Sequence, residues 1–411
     1  MNQSSPSNQP APARKSQEWI ARNDQVIAKT YGRYPLVPVR GAGCKLWDAD
    51  GKEYLDLLAG VAVNNLGHCH PRIVAAIKAQ AETLIHCSNY YNIPQQIRLA
   101  ELLCENSFAE RVFFCNSGAE ANEAAVKLAR KYSLETHGPG RSEVLTALAS
   151  FHGRTFCGIS ATGQEKVKQG FEPLLPGFQH LPFGDIDALR NAVSSRTCAI
   201  LLEPIQGEGG VNIPPVGYFE QVRQLCDEKG LLLILDEVQT GCGRTGTLFA
   251  YEQEGIKPDI MTLAKGLAGG VPIGAMLAGE ALAEHLGPGS HGSTFGGNPL
   301  ATAAGVASLE TLLEDGLLAN CRAMGDYLRS ELVKLQQKYP VICAVRGRGL
   351  LIGMELTIEA GEMIKTALTR GLLINCTVGK VLRFVPPLII TPAEIDQAIR
   401  LLDEIFSESV A

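Results

Sequence analysis

Short unbroken apolar runs punctuate the middle of the chain: RVFFC (111–115), CAILLE (198–203), LLLILDE (231–237) and DIMTLA (259–264), with VLTAL (144–148) a weaker fifth. Runs of that length without polar alternation suit strands buried on both faces, hence a mostly parallel sheet under helices. Between them lie stretches such as PRIVAAIKAQAETL (71–84), whose apolar residues recur at helical spacing. Upstream, PLVPVRGAGCKLWDADGKEYLD (35–56) reads as short strands joined by turns, with DADGK (48–52) as a hairpin loop. Beyond residue 306 the pattern gives a long helix, then mixed elements through VICAVRGRGLLIGMEL and GLLINCTVGKVLRFVPP. A closing helix starts at TPAEIDQAIRLLDEIF, where Thr391, Pro392 and Glu394 form a capping-box start. The expected class is α/β. Residues 61–305 form a large domain and 306–411 a smaller α+β domain, with 17–60 packing against the latter and 1–16 as a disordered tail.

Composition narrows the function classes. The chain has 411 residues, 45% hydrophobic and 19% charged, with a formal net charge of -6 and no basic run. That argues against a nucleic-acid partner. The 12 cysteines are scattered with no CxxC pair, which suits reduced thiols in a cytoplasmic protein. The opening MNQSSPSNQPAPARKS lacks the apolar centre of a signal peptide. No stretch has the uncharged apolar length of a membrane span.

In doubly wound sheets, ligands sit beyond the carboxyl ends of the strands, so the residues just after each run matter. MTLAKGLAGG (261–270) sets one charge, Lys265, in an apolar and glycine-rich stretch. An amine there either snorkels to water or is wanted neutral, as a carbonyl-binding nucleophile. Asp236 ends the most apolar run. It could be a metal ligand, a general base or the counter-charge to a cationic ring nitrogen, although no His or Cys lies at metal-ligand spacing around it. NSGAEANEAA pairs Ser117 with Glu120 as a capping box and leaves Gly118 and Ala119 to meet an anion. FHGRT (151–155) adds an aromatic ring and Arg154, EPIQGEGG (203–210) adds Glu203 and Glu208, and HGSTFGGNP (291–299) is a hydroxyl-bearing loop. Arg383 stands alone in the apolar VLRFVPP and must find an acid or leave the core. GCGRTG (241–246) matches the dinucleotide fingerprint GxGxxG, and a nicotinamide-dependent oxidoreductase is the reading from another class. It lies mid-chain, however, five residues beyond the strand-end Asp236, and TLFAYEQEG after it is a poor helix start. GHCHP (67–71) lacks the second cluster a metal site needs. An amine nucleophile, a strand-end carboxylate, a phosphate-binding helix end, an aromatic ring and two arginines together suit pyridoxal phosphate chemistry.

The ordered motifs SGAEANEAAVKLAR, FHGRT, EPIQGEGG, LDEVQTGCGRTG, AKGLAGG and STFGGNPLA resemble the class III, pyridoxal-phosphate-dependent aminotransferases, from about residue 28 to the C-terminus. That resemblance implies transferase fold type I and a homodimer with shared active sites. Lys265 would form the Schiff base and shuttle a proton, Asp236 pair with the pyridine nitrogen, and Gln239 hydrogen-bond the phenolic oxygen. Phe151 would stack on the ring, with Val238 also in the cofactor site. Gly118 and Ala119 would bind the phosphate, Ser117 cap the helix, and Thr294 complete the site from the neighbouring subunit. Arg154 would hold the substrate α-carboxylate, with Ser293 beside the acylated substrate. Glu208 would mask Arg383 for the amino donor and free it for the second carboxylate of the acceptor. LAGVAVNNLGHCHP and SNYYNIPQ resemble the branch that acts on N2-acetyl-L-ornithine and 2-oxoglutarate in arginine biosynthesis. Gly60 to Val63 are small where ornithine-specific members carry an aromatic. Succinylornithine, N-succinyl-diaminopimelate, ornithine and 4-aminobutyrate remain open as donors.

Overall fold

The computed structural model describes residues 15–409. The tail expected over 1–16 therefore lies, except for its last two residues, outside the described ones. The first helix is Lys15–Val26. Strands β1 (Pro38–Ala42), β2 (Lys45–Asp48) and β3 (Glu53–Asp56) come next as an antiparallel meander. DADGK is the β2–β3 loop: Asp48 Oδ1 accepts from the amides of Asp50 at 3.0 Å and Lys52 at 2.9 Å, and Gly51 takes the positive φ of 85° that the turn needs.

The central sheet has seven strands: β4 (Arg111–Cys115), β5 (Glu143–Ala147), β6 (Phe178–Leu181), β7 (Thr197–Leu202), β8 (Leu232–Asp236), β9 (Ile260–Leu263) and β10 (Gly274–Ala278). Their order is β4-β10-β9-β8-β7-β5-β6. Only β10 runs against its neighbours. The carboxyl ends of the other six strands therefore share one edge. Every residue of β7, β8 and β9 is buried, as their unbroken apolar sequences require. The five strands expected from apolar runs are all present. β6 and β10 were not foreseen. FQHL is too polar, and GAMLA too small in its side chains, to stand out as an apolar run.

The C-terminal part holds β11 (Ile342–Arg348), β12 (Leu351–Leu356), β13 (Leu372–Leu373), β14 (Asn375–Thr377) and β15 (Val381–Phe384). Strands β11-β12-β15-β14 form an antiparallel sheet, while β13 pairs in parallel with β3. Through that pair the N-terminal meander joins the C-terminal part. The closing helix Pro392–Ser409 has the expected reciprocal cap, with Thr391 N donating to Glu394 Oε2 at 2.9 Å and Glu394 N to Thr391 Oγ1 at 3.4 Å. Among the described residues no helix is long and apolar enough to cross a membrane. All twelve cysteines are free.

Candidate active site

A cavity of about 400 Å³ opens at the shared carboxyl edge of the sheet. Residues at or just beyond the ends of β4, β5, β7, β8 and β9 wall it, so each strand end expected to carry chemistry contributes. Lys265 lies just past β9 with a φ of 41°, a left-handed backbone uncommon for a residue with a side chain and a form of strain that gathers at functional sites. Burial lowers the Lys265 amine below its ordinary value. The Glu208 carboxylate opposes this, Arg383 adds to it, and Asp236 and Glu203 oppose it further. The amine is thereby biased toward its neutral, nucleophilic form. Reductive labelling of the cofactor-free protein by a small aldehyde and borohydride should modify Lys265 at a lower pH than the other lysines. Labelling that tracks surface lysines at every pH would refute this.

Asp236 closes β8 and is 3% exposed. Its Oδ2 accepts from Asn122 Nδ2 at 2.7 Å and pairs with His152 Nδ1 at 2.8 Å, and its Oδ1 accepts from Val238 N at 3.0 Å. Asn122 is itself fixed, donating to the His152 carbonyl at 3.0 Å and accepting from Thr262 Oγ1 at 2.8 Å. Sequence reasoning missed Asn122 and His152. Both lie inside quoted motifs, but nothing in the order of residues says that two strand-end loops aim at one carboxylate. It also left Glu203 without a role. Glu203 is 5% exposed and accepts from Phe151 N at 2.9 Å and Gly207 N at 3.2 Å. Burial pushes its carboxyl up to about 7, the nearby His152 opposing and the Asp236 charge adding to the rise.

The start of the helix Gly118–His137 also lines the cavity. Ser117 Oγ accepts from Glu120 N at 3.2 Å, the N-cap half of the box read from the sequence, while Glu120 Oε2 accepts from Asn116 N at 2.5 Å, one residue before the N-cap amide that a reciprocal box would use. Gly118 and Ala119 line the cavity. A Cβ on Gly118 would sit 2.8 Å from the Val238 side chain, and one on Gly153 2.7 Å from that of Ala119, so neither position has room for a side chain. Phe151 and Arg154 line the same space, with the Arg154 guanidinium 5.5 Å from the Phe151 ring centre.

Arg383 on β15 is 1% exposed. Its Nη1 pairs with Glu208 Oε1 at 2.5 Å and donates to Gln239 Oε1 at 3.0 Å, and its Nε donates to Asn375 Oδ1 at 3.2 Å. Burial pushes the Glu208 carboxyl up, but the charges of Arg383 and Lys265 and hydrogen bonds from Arg383 and Gln239 outweigh it and hold it low. The pair reaches the cavity through Gln239, which lines it. Ser293 is one bond removed, accepting from Asn116 Nδ2 at 3.1 Å. Thr294 is exposed and does not line the cavity of its own chain. Of the small stretch Gly60–Val63, only Val63 lines this cavity, while Gly60 borders a separate one of about 210 Å³.

The dinucleotide reading of GCGRTG does not survive. Its middle and last glycines pack on the C-terminal part, where a Cβ on Gly243 would lie 2.9 Å from Leu388 and one on Gly246 2.6 Å from Arg322. The loop opens no helix toward a ligand.

The donor set suits a flat, cationic-ring phosphate ester that carries an aldehyde. The Gly118 helix start offers amides to an anionic end, Asp236 a buried acceptor for a ring N–H, and Lys265 an amine. Comparison with known proteins agrees. The profile of the family described as Aminotransferase class-III matches residues 26–406. The acetylornithine aminotransferase of Caldanaerobacter subterraneus subsp. tengcongensis is 55% identical, over 95% of this chain and 99% of that one. Among solved structures, the ornithine aminotransferase of Toxoplasma gondii, whose active site holds pyridoxal phosphate at partial occupancy, superposes with a TM-score of 0.93. It is 37% identical, with 96% of this chain and 95% of that one covered. The acetylornithine aminotransferase of Elizabethkingia anophelis gives a TM-score of 0.86 at 35% identity, with 96% and 99% covered.

Proposed function

The chain belongs to the class III aminotransferases, and from that premise we propose that it moves the terminal amine of N2-acetyl-L-ornithine to 2-oxoglutarate. The products are N-acetyl-L-glutamate 5-semialdehyde and L-glutamate, formed in two successive half-reactions on a resident pyridoxal 5'-phosphate. The observation that carries the reading is the meeting of Lys265, Asp236 and the Gly118 helix start in one cavity. Bound there, the cofactor supplies a carbonyl carbon for the amine and a cationic ring that takes up electrons as a carbon-bound proton leaves. Gly118 and Ala119 would hold its phosphate, Phe151 and Val238 its ring, Asp236 its ring nitrogen and Gln239 its phenolic oxygen, all of them lining the cavity. Lys265 would hold the carbonyl carbon and would supply the amine base for the proton at the donor's terminal carbon. Arg154, exposed at the cavity, takes the donor's α-carboxylate, with Ser293 beside the acyl group. Glu208 covers Arg383 while the donor is bound and releases it to the second carboxylate of 2-oxoglutarate.

The partner we propose is a second copy of the chain. Thr294 lies on an exposed surface with Phe295, and Asn89 bonds that loop through the carbonyls of Ser293 and Gly296 at 3.1 and 2.9 Å. Tyr90 and Tyr91, next to Asn89, are 94% and 68% exposed. Such a patch suits an interface that brings Thr294 to the partner's cavity. Free thiols throughout support a cytoplasmic location.

The test is the visible spectrum of the holoenzyme before and after N2-acetyl-L-ornithine is added without oxo acid. The cofactor band should bleach and return with 2-oxoglutarate. The donor's kcat/KM should exceed those of free ornithine and 4-aminobutyrate by at least about tenfold, the scale on which a fitted pocket separates near neighbours. Bleaching by ornithine or 4-aminobutyrate alone would reassign the donor, and a band that no amine bleaches would end the transaminase reading.

A further inference from the structure

The GCGRTG loop carries an arginine that the reaction does not use. Arg244 is 0% exposed, and among the described residues it forms no ion pair with a carboxylate. Its charge is met by neutral oxygens alone. Nη1 donates to the carbonyls of Leu350 at 3.0 Å and Pro386 at 2.5 Å, and Nη2 to Asn65 Oδ1 at 2.6 Å, while Nε has no partner. The Arg244 carbonyl accepts from Leu350 N at 3.1 Å and from Cys321 Sγ at 3.3 Å. Asn65 is as deeply placed, at 1% exposure. It donates through Nδ2 to the Cys242 carbonyl at 2.7 Å, and its own carbonyl accepts from Leu388 N at 2.7 Å. A Cβ on Gly266 would lie 2.2 Å from Asn65 Nδ2, so Asn65 packs directly on the residue after Lys265.

The segments of Asn65, Leu350 and Pro386 meet at this one guanidinium, Gly266 packs on Asn65, and all of these but the Leu350 segment lie a few positions from a site residue. Asn65 lies two residues past Val63. Gly266 is next to Lys265. Pro386 lies three residues past Arg383, and Arg244 itself lies five past Gln239. A planar fork with fixed donor directions sets such a junction more tightly than a point charge on a flexible stem. The neutral acceptors matter too. A carboxylate in place of Asn65 would put a new negative charge against the residue beside Lys265. It would raise the amine's affinity for a proton.

We infer that Arg244 is a positioning residue that sets Arg383 on β15 against Lys265 and Asp236 on the central sheet, so that its loss falls mainly on capture of the dicarboxylate acceptor. The inference rests on the proposed two-half reaction. The donor binds with Arg383 covered by Glu208 and needs little from the placement of β15. The acceptor needs the Arg383 guanidinium at a set distance from the cofactor.

The experiment is a stopped-flow comparison of both half-reactions in the Arg244→Lys holoenzyme, with amide hydrogen exchange over residues 381–390. The apparent Kd for 2-oxoglutarate should rise about tenfold or more, the donor half-reaction should stay within about twofold, and exchange in that segment should quicken. Equal losses in both half-reactions, or no change in either, would overturn the inference. Asn65→Ser, which removes only the amide arm, should show the same split to a smaller degree and serves if the lysine variant does not fold. A wild-type holoenzyme that no donor bleaches would break the functional reading instead, and unchanged exchange in the variants would then still refute the clamp.

Discussion

Lys265→Ala is expected to lower turnover by at least about four orders of magnitude while leaving a folded protein that still takes up the cofactor. Proton transfer by one positioned group is worth about 10²–10⁴-fold, and here the same amine also holds the carbonyl carbon. No neighbour can substitute. Asp236 is engaged by Asn122, His152 and Val238, Glu203 by two backbone amides, and Glu208 by Arg383. Uptake of the cofactor should persist without a covalent link, because the Gly118 helix start and Asp236 are untouched. Stability of the cofactor-free protein should rise or hold. Burial lowers the amine's pKa from 10.5, so between the lowered value and 10.5 the unfolded chain binds more protons than the folded one. Stability of the wild type therefore climbs with pH across that window. The variant should lose the climb and be at least as stable at its lower end. Turnover above about 1% of wild type, or a variant that no longer retains cofactor through gel filtration, would contradict this assignment.

The strands that bear the site were legible because their apolar runs are long and uninterrupted. A sheet buried on both faces leaves no polar position to break them. The polar residues at their ends were legible for the complementary reason. Alone, a lysine there could snorkel and an aspartate could cap a turn; polar, glycine-bearing loops at five strand ends together pointed to chemistry. Whatever depends on two distant loops meeting could not be read. His152 stands beside Phe151 in a motif already singled out, yet its bond to Asp236 spans 84 residues. Arg244 looked like part of a dinucleotide fingerprint, since glycine spacing is the same whether the backbone approaches a phosphate or another piece of backbone. Only the atoms of Leu388 and Arg322 facing Gly243 and Gly246 separate the two. β10 was missed because alanine, glycine and methionine carry little strand signal. That strand is specified by pairing with β4 and β9. Gly60 shows the limit of reading pocket size from residue size, for it is small but faces a neighbouring cavity.

Asp236→Asn is expected to cost about 10²–10⁴-fold in turnover, the scale of removing one partner from a buried charge pair at about 3–5 kcal/mol. The substitution keeps shape and changes only chemistry. A carboxylate accepts on both oxygens, and here both are used: Oδ2 by Asn122 Nδ2 and His152 Nδ1, Oδ1 by Val238 N. An amide has one acceptor. With its oxygen toward Asn122 and His152, its NH₂ opposes the Val238 amide. Turned over, the NH₂ opposes Asn122 Nδ2, whose orientation is fixed because Asn122 Oδ1 already accepts from Thr262. A change of tautomer at His152 would relieve one contact and leave the other. Each unsatisfied buried donor costs about 1–3 kcal/mol, so the variant should also melt earlier. Glu203 separates the electrostatic loss from the packing loss. The Asp236 charge is among the causes that hold its carboxyl up at about 7. Removing that charge should move the Glu203 titration downward, whereas distorted packing alone would leave it or raise it. A variant that keeps turnover within tenfold of wild type, with the Glu203 titration unmoved, would mean that Asp236 closes the strand and does nothing for the ring.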